Sequence, residues 1–130
     1  MAVEPNTVEI FLDIKPGNKE NSINPRSKGV IPVAILGSKE FDVADIDVTK
    51  LRFGLDNAEI KHNLSDPKIY TKHLKDVDDD GIMDLVSHYS VLETGIECGD
   101  DEVSLSGKTL SNQAIDGTDT ISTVGCKKGR

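Results

Sequence analysis

Apolar and polar residues alternate along much of the chain, and this pattern predicts β-strands rather than helices. In residues 7–14 every second residue from Val8 to Ile14 is apolar, as a half-buried strand requires. The continuous apolar run Val30–Leu36 is typical of a strand covered on both faces. Because Pro32 has no N–H to donate to a neighbouring strand, we expect an edge or a bulge at that point.

Further short strands are predicted at residues 50–53, 58–62, 69–74, 84–92, 102–105 and 120–124. Turn signals rich in Gly and Asp separate them, among them Asp66-Pro67 and Asp116-Gly117. This spacing predicts an all-β fold, an antiparallel β-sandwich of the Ig-like or jelly-roll-like kind. Since 130 residues suit one core, we expect a single domain over residues 7–125, with residues 1–6 and 126–130 as tails.

Composition adds constraints on the core and on the partners. Hydrophobic residues make up 36% of the chain and aromatic residues 4%, so the core should be aliphatic. A net charge of −8, without a basic stripe, argues against nucleic-acid binding. No apolar stretch approaches the roughly 20 residues of a membrane helix, so we expect no membrane insertion.

Cys98 and Cys126 are too few for a zinc site built from four cysteines. They can instead close a loop of about 29 residues, which the chain-entropy model values at roughly 3–4 kcal/mol. We favour this disulfide over two free thiols in a reducing compartment. No signal peptide is visible at the start of the sequence, and we expect that a leader has been removed from an extracellular or cell-surface protein.

The most specific chemical feature is the aspartate-rich segment at residues 76–84. Its carboxylates stand at relative positions one, three, five and nine, a spacing that lets them converge as a loop winds around one point. Hard oxygen ligands in this arrangement suit Ca²⁺ better than Mg²⁺, which demands stricter geometry. The predicted side-chain ligands are Asp76, Asp78, Asp80 and Asp84.

Two more positions of this loop support the calcium prediction. Gly81 at position six permits a sharp turn, and the carbonyl of Ile82 at position seven supplies a further ligand. The loop is not a complete EF-hand, because Ser87 stands where a bidentate Glu would bind. We therefore expect one structural calcium ion rather than a sensor switch. The alternative is a solvated acidic turn that binds nothing.

Other candidate sites are weaker. The acidic segments at residues 42–47 and 97–102 can add a ligand or a second ion, but exposed turns are the simpler interpretation. His62, His73 and His88 are far apart in sequence, so surface or packed imidazoles are favoured over a zinc site. No nucleophile elbow, phosphate loop or Cys/His pair is present, and we expect no enzymatic activity.

Several strings together resemble a known family. Residues 13–17 read DIKPG, residues 29–37 read GVIPVAILG, and residues 76–86 read DVDDDGIMDLV. Over about residues 8–124 the chain resembles a module of secreted and surface proteins of bacteria and archaea. The resemblance implies an extracellular location and supports the calcium loop, but it implies no catalytic residues. The family's loop usually has Asn-Gly at positions 78 and 79, and Asp78 in place of Asn keeps an oxygen ligand.

The sequence thus favours a calcium-binding extracellular module with a structural or adhesive role. Its partners would be other surface proteins, glycans or further copies of itself. One alternative is a carbohydrate-binding module, although two Tyr, three Phe and no Trp leave few aromatic side chains for stacking on sugars. Another is a subunit of a self-assembling surface filament, in which an edge strand or the N-terminal tail pairs with a neighbour.

Overall fold

Most of the chain forms short strands. The computed structural model describes residues 7–126. Within that range the elements, in chain order, are β1 (Val8–Glu9), β2 (Phe11–Ile14), β3 (Ser22–Ile23), β4 (Val30–Leu36), β5 (Arg52–Phe53), β6 (Ala58–Glu59), α1 (Pro67–Lys72), β7 (Leu74–Lys75), β8 (Asp84–Ser90), β9 (Glu102–Lys108), β10 (Ala114–Thr120) and β11 (Ser122–Thr123). Single turns of 3₁₀ helix lie at Val43–Asp45, Val48–Lys50 and Val91–Glu93.

The strands form two main sheets and one small one. A five-stranded sheet has the order β1-β10-β9-β5-β6, a four-stranded sheet has the order β2-β4-β8-β7, and β11 pairs with β3. The long neighbouring strands pair antiparallel, whereas β1 with β10 and β11 with β3 pair parallel. The all-β prediction with antiparallel sheets is therefore confirmed, apart from two short parallel pairings.

Both main sheets contribute side chains to one buried cluster. Phe53 of β5 and Tyr89 of β8 are fully buried and stack with their ring centroids 5.0 Å apart, so they join the two sheets. The rest of the buried hydrophobic cluster among the described residues is aliphatic, as the composition predicts. Its largest fully buried aliphatic members are Ile14, Ile31, Ile35, Leu51, Leu85, Leu105 and Ile115.

The first predicted strand is divided between the two sheets. Val8 belongs to β1, which pairs with β10, whereas β2 pairs with β4. The chain changes sheets at Ile10, whose N–H donates to the carbonyl of Asp116 at 2.9 Å. As a result Leu12 and Ile14 are buried as predicted, but Val8 is 38% exposed.

Pro32 lies where the four-stranded sheet is locally incomplete. The pairing of β4 with β2 ends at Val33 and Ile14, while β8 continues alongside Pro32. The Pro32 carbonyl accepts the N–H of Lys15 at 2.8 Å. Because N and O of one strand residue point to the same side, the missing N–H faces the end of β2. The expected edge is therefore local, inside a strand that is otherwise central.

The predicted strand at residues 69–74 is wrong, because most of it belongs to α1. Asp66 caps this helix by accepting the Lys68 N–H at 3.0 Å, and Pro67 occupies the first helical turn. Ile69 and Tyr70 are half-buried and pack against the core. The Asp-Pro pair that suggests a turn between strands is thus a helix start.

Strand β10 is mostly absent from the sequence prediction, which places a turn at Asp116-Gly117. The strand is polar at most positions, and Ile115 and Gly117 are its buried residues. A Cβ built on Gly117 would lie 2.5 Å from the carbonyl oxygen of Ile10. Here glycine therefore allows two backbone segments to approach, rather than allowing the chain to turn.

The predicted disulfide is confirmed. Cys98 and Cys126 are bonded, with their Cα atoms 5.7 Å apart, and no free cysteine remains in the described part of the chain. The bond attaches Cys126, which the prediction assigns to the C-terminal tail, to the loop before β9. The rest of the predicted tails 1–6 and 126–130, residues 1–6 and 127–130, lies outside the described residues. Disulfides are typical of oxidising compartments.

Replacing Gly117 should test the close approach of β10 to Ile10. We expect Gly117→Ala to lower the free energy of unfolding by about 1–3 kcal/mol, because the added methyl group overlaps the Ile10 carbonyl. Gly29→Ala is the control, since its Cβ meets only the Ser27 hydroxyl oxygen at 3.3 Å. Equal melting temperatures for the two variants would contradict this packing.

Candidate metal centre

The aspartate-rich loop connects β7 to β8. Lys75 pairs with Asp84 across these strands, so the intervening residues form a hairpin connection. Asp79 and Gly81 have φ angles of 58° and 85°, in the left-handed region that bends the chain sharply. The glycine therefore has the turn-forming role that the sequence predicts.

Asp84 anchors this loop to the four-stranded sheet. Its side chain has no solvent exposure. One carboxylate oxygen accepts the N–H of Gly37 at 2.8 Å, and the other accepts the N–H of Val77 at 2.9 Å. Gly37 directly follows β4 and Val77 lies in the loop, so one buried carboxylate joins both segments. These bonds compensate for the burial of a polar group.

Three aspartates converge at the loop. Asp76, Asp78 and Asp84 each offer an oxygen atom, and these atoms lie within 4.8 Å of one another. Asp76 is half-buried, Asp78 is exposed and Asp84 is buried, so the group extends from the interior to the surface. This acidic cluster can hold a metal ion.

Of the other predicted ligands, Asp80 lies beside the cluster rather than in it. One of its carboxylate oxygens accepts the backbone N–H of Ile82 at 2.9 Å. Asp76, in turn, accepts the backbone N–H groups of Asp80 at 3.1 Å and Gly81 at 2.8 Å. The loop is thus held in shape by its own carboxylates, and three of the four predicted side chains are brought together.

Negative charge is crowded at this site. Desolvation, followed by the charges of Asp84 and Asp80, raises the pKa of Asp78 to about 6. Desolvation acts in the same direction on Asp76, but the N–H groups of Gly81 and Asp80 outweigh it and lower the pKa of that carboxyl. Protonation of Asp78 is one way to reduce the repulsion, and a bound cation is another.

Sequence reasoning misses two residues near this site. The first is Gly37. A Cβ on Gly37 would lie 2.4 Å from the Met83 carbonyl oxygen, so the loop packs directly on this glycine. The backbone N–H of Gly37 also donates to Asp84. Gly37 stands in the GVIPVAILG string, where it suggests only a turn. Asp13 of β2 is the second, and burial, then the charges of Asp119 and Asp84, raise its pKa.

The two other acidic segments use their carboxylates within the chain. Asp42 and Asp47 cap 3₁₀ turns by accepting the N–H groups of Ala44 and Thr49. Asp100 accepts the N–H of Glu97 at 2.9 Å. Neither segment forms a cluster of candidate metal ligands in the part of the chain that the structure describes.

The three histidines, in contrast, come together despite their separation in sequence. The ring centroids of His62, His73 and His88 lie 5.0–5.2 Å apart, in tilted and edge-to-face arrangements. Burial, and then the neighbouring His73 and His62, lower the pKa of His88. Nothing in the local sequence around each histidine indicates this grouping.

Comparison with protein-family models, with curated proteins and with solved structures finds no match to this chain. Within residues 7–126, no helix has the length and apolar character needed to cross a membrane.

The raised pKa of Asp78 predicts how the metal-free protein responds to acid. Since the folded state takes up this proton near pH 6 and a free Asp near pH 3.8, Asp78 should add stability as the pH falls through this window, whereas His88, whose pKa is lowered, should act in the opposite direction. Denaturant unfolding in the presence of a chelator, at intervals from pH 7 to pH 4, measures the trend. Asp78→Asn should remove the contribution of Asp78, so acid should stabilise this variant less, or destabilise it more, than the wild type. Parallel pH profiles for the two proteins would contradict the assignment.

The role of Asp84 as an anchor predicts a large loss of stability in Asp84→Asn. The Asn amide group would place an N–H donor against the backbone N–H of either Gly37 or Val77, so one hydrogen bond is lost. We expect the free energy of unfolding to fall by about 1–3 kcal/mol. Asp79→Asn is the control, because Asp79 is exposed and Asn tolerates its positive φ angle. Urea unfolding of both metal-free variants tests this, and similar midpoints would argue against the anchor.

Proposed function

We propose that this protein is a calcium-stabilised extracellular module with a structural or adhesive role. The observation that carries the proposal is the convergence of Asp76, Asp78 and Asp84, whose oxygen atoms lie within 4.8 Å of one another. The buried Asp84 is held at one oxygen by Val77 of the loop and at the other by Gly37 after β4. Carboxylates without nitrogen or sulfur ligands favour hard cations, and the flexible geometry of Ca²⁺ tolerates an irregular cluster of this kind.

The proposed ion would also recruit neighbouring oxygen atoms. Asp80 is close enough for its charge to raise the pKa of Asp78, so a small movement of its side chain would bring it to the ion. The carbonyl of Ile82 would complete the set, as the loop spacing predicts. We therefore keep all five predicted ligands in the proposal, with the three clustered aspartates as its core.

The surroundings of the loop support a structural role. Strands β7 and β8 flank it, so calcium has no pair of helices to open, in contrast to sensor EF-hands. Through Asp84 the ion would strengthen the attachment of this hairpin to the end of β4. Any ligand that binds only the folded state adds to stability by mass action.

The same proposal includes a sandwich architecture. The two main sheets share one buried cluster, and Phe53 packs on Tyr89 between them. This arrangement supports an Ig-like or jelly-roll-like β-sandwich, in which two sheets pack face to face.

Two observations, together with the proposed calcium ion, support an extracellular location. The Cys98–Cys126 disulfide suits an oxidising compartment. Calcium is abundant outside cells, where modules bind it with dissociation constants of roughly 10⁻⁴–10⁻³ M. The DIKPG and GVIPVAILG strings resemble those of secreted and surface proteins.

The carbohydrate-binding alternative has little support on the surface. Phe11 of β2, 62% exposed, is the one aromatic side chain among the exposed large hydrophobic residues of the described chain. Sugar-binding faces stack rings on aromatic side chains, and a single Phe makes a poor platform for this purpose.

Calorimetry on metal-free protein tests the proposal. We expect one Ca²⁺ per chain and a melting temperature that rises by several degrees in millimolar calcium. Asp78→Ala should weaken binding by roughly tenfold or more, which corresponds to about 1.4 kcal/mol.

Asp79→Asn is the matched control, because it also removes one negative charge from the loop but lies outside the clustered ligands. We expect it to keep nearly the original affinity. Absence of heat on adding calcium to the metal-free protein, or equal losses of affinity in the two variants, would overturn the calcium assignment.

A further inference from the structure

The three histidines come from separate elements and meet beside the four-stranded sheet. His62 lies in the loop that follows β6, His73 follows α1, and His88 belongs to β8. On β8 the neighbours Ser87 and Tyr89 are buried, whereas His88 alternates to the opposite face. Each histidine offers one ring nitrogen, and these three atoms lie within 4.8 Å of one another.

His73 is oriented in the way that metal-binding histidines commonly are. Its Nδ1 lies 2.9 Å from the carbonyl oxygen of Val86, and the Val86 N–H donates to the His73 carbonyl at 2.8 Å. A proton on Nδ1, donated to that carbonyl, leaves the Nε2 lone pair free. This backbone partner fixes both the tautomer and the ring direction, as carbonyl partners do around bound metals.

His88 carries a polar atom without a partner. Its Nδ1 is buried and makes no hydrogen bond. A buried nitrogen of this kind costs free energy unless something binds it. The structure thus combines a fixed ring, a buried unpartnered nitrogen and an exposed third ring, His62, that can adjust its position.

The spacing of the three histidine nitrogens is compatible with a bound metal ion. Zn–N bonds of 2.0–2.1 Å in a tetrahedral site place ligand nitrogens roughly 3.3 Å apart. The histidine nitrogens would need to approach by at most about 1.5 Å, which small ring rotations and movement of His62 can supply. Imidazole nitrogen suits Zn²⁺, Ni²⁺ and Cu²⁺, whereas Ca²⁺ prefers oxygen.

Positive side chains also lie near the cluster, and their repulsion opposes the binding of a cation. Lys61 directly precedes His62, and its backbone N–H donates to the His88 carbonyl at 2.9 Å. Lys72 and Lys75 line a groove of about 260 Å³ together with His73 and His88. Both lysines are exposed, so water and salt screen their charges, and their side chains can turn away from the cluster. The net charge of −8 also favours cations over the whole molecule.

We propose that His62, His73 and His88 form a second metal site, separate from the aspartate loop, for a late first-row divalent cation such as Zn²⁺. The ion would cross-link the loop after β6 and the end of α1 to β8. With three protein ligands, its fourth position would remain open to water or to a donor group from a binding partner.

The composition of the chain makes the site unusually easy to test. The sequence contains three histidines, all of them in the cluster, and the described part of the chain has no free cysteine. The resonances of the histidine rings in an NMR spectrum therefore report on this site alone. We expect Zn²⁺ added to calcium-loaded wild-type protein to shift all three rings and to saturate at one ion per chain.

Substitutions and a second metal identify the ligands. His62→Gln and His88→Gln should each weaken Zn²⁺ binding by roughly tenfold or more and leave Ca²⁺ binding unchanged. Asp78→Ala is the matched control and should leave Zn²⁺ binding unchanged. Co²⁺ in the histidine site should give the strong visible absorption of tetrahedral coordination, in contrast to the weak absorption of an octahedral oxygen site.

The wild-type NMR titration keeps the test decisive even if a histidine variant fails to fold. Unshifted histidine resonances in millimolar Zn²⁺ would overturn the proposal. Zn²⁺ binding that is lost in Asp78→Ala but kept in both histidine variants would overturn it as well, since the metal would then occupy the aspartate loop.

Discussion

The candidate calcium centre depends on one buried carboxylate. Asp84 begins β8 with no solvent exposure, and both of its oxygens are held by backbone N–H groups, one from Gly37 after β4 and one from Val77 in the loop. A charge-bearing group in that position is tolerable only with good partners. The hydrogen bonds place Asp84 at the base of the loop, where Asp76 and Asp78 approach it. Tertiary structure thus brings the acidic cluster together as much as local sequence does.

The position of this cluster also explains why an ion would matter to a domain of this kind. The core is aliphatic except for Phe53 and Tyr89, and several strands are only two residues long. Strand pairing alone therefore does not hold the long connections in place, and other contacts must do so. The Cys98–Cys126 disulfide does this at one place, and the proposed calcium and histidine sites would do so at two others. Small domains commonly use such cross-links where the core alone gives little stability.

Sequence patterns predict the features that depend on local periodicity. Alternation locates β2, the apolar run locates β4, and the aspartate spacing finds three residues that the structure brings together. The predictions fail where tertiary contacts decide the outcome. Strand β10 is too polar to be recognised from its own sequence. Its place in the sheet depends on pairing with β9 and on the close approach of Gly117 to Ile10. Helix α1 is short, and its capping by Asp66 competes with a turn interpretation.

The grouping of the three histidines cannot be predicted from the sequence. His62, His73 and His88 lie in a loop, after a helix and in a strand, so no spacing rule connects them. Their approach depends on how β6 and α1 pack beside β8, which a single sequence does not reveal. The role of Gly37 is equally invisible in the sequence, because it offers a backbone N–H to Asp84, a residue far along the chain.

The presence of calcium in the loop is tested most directly by a crystal structure, with anomalous data, from crystals grown in millimolar calcium. We expect one ion bound by carboxylate oxygens of Asp76, Asp78 and Asp84 at distances of about 2.3–2.6 Å. An empty loop under those conditions, with Asp84 bonded to Gly37 and Val77 alone, would contradict it.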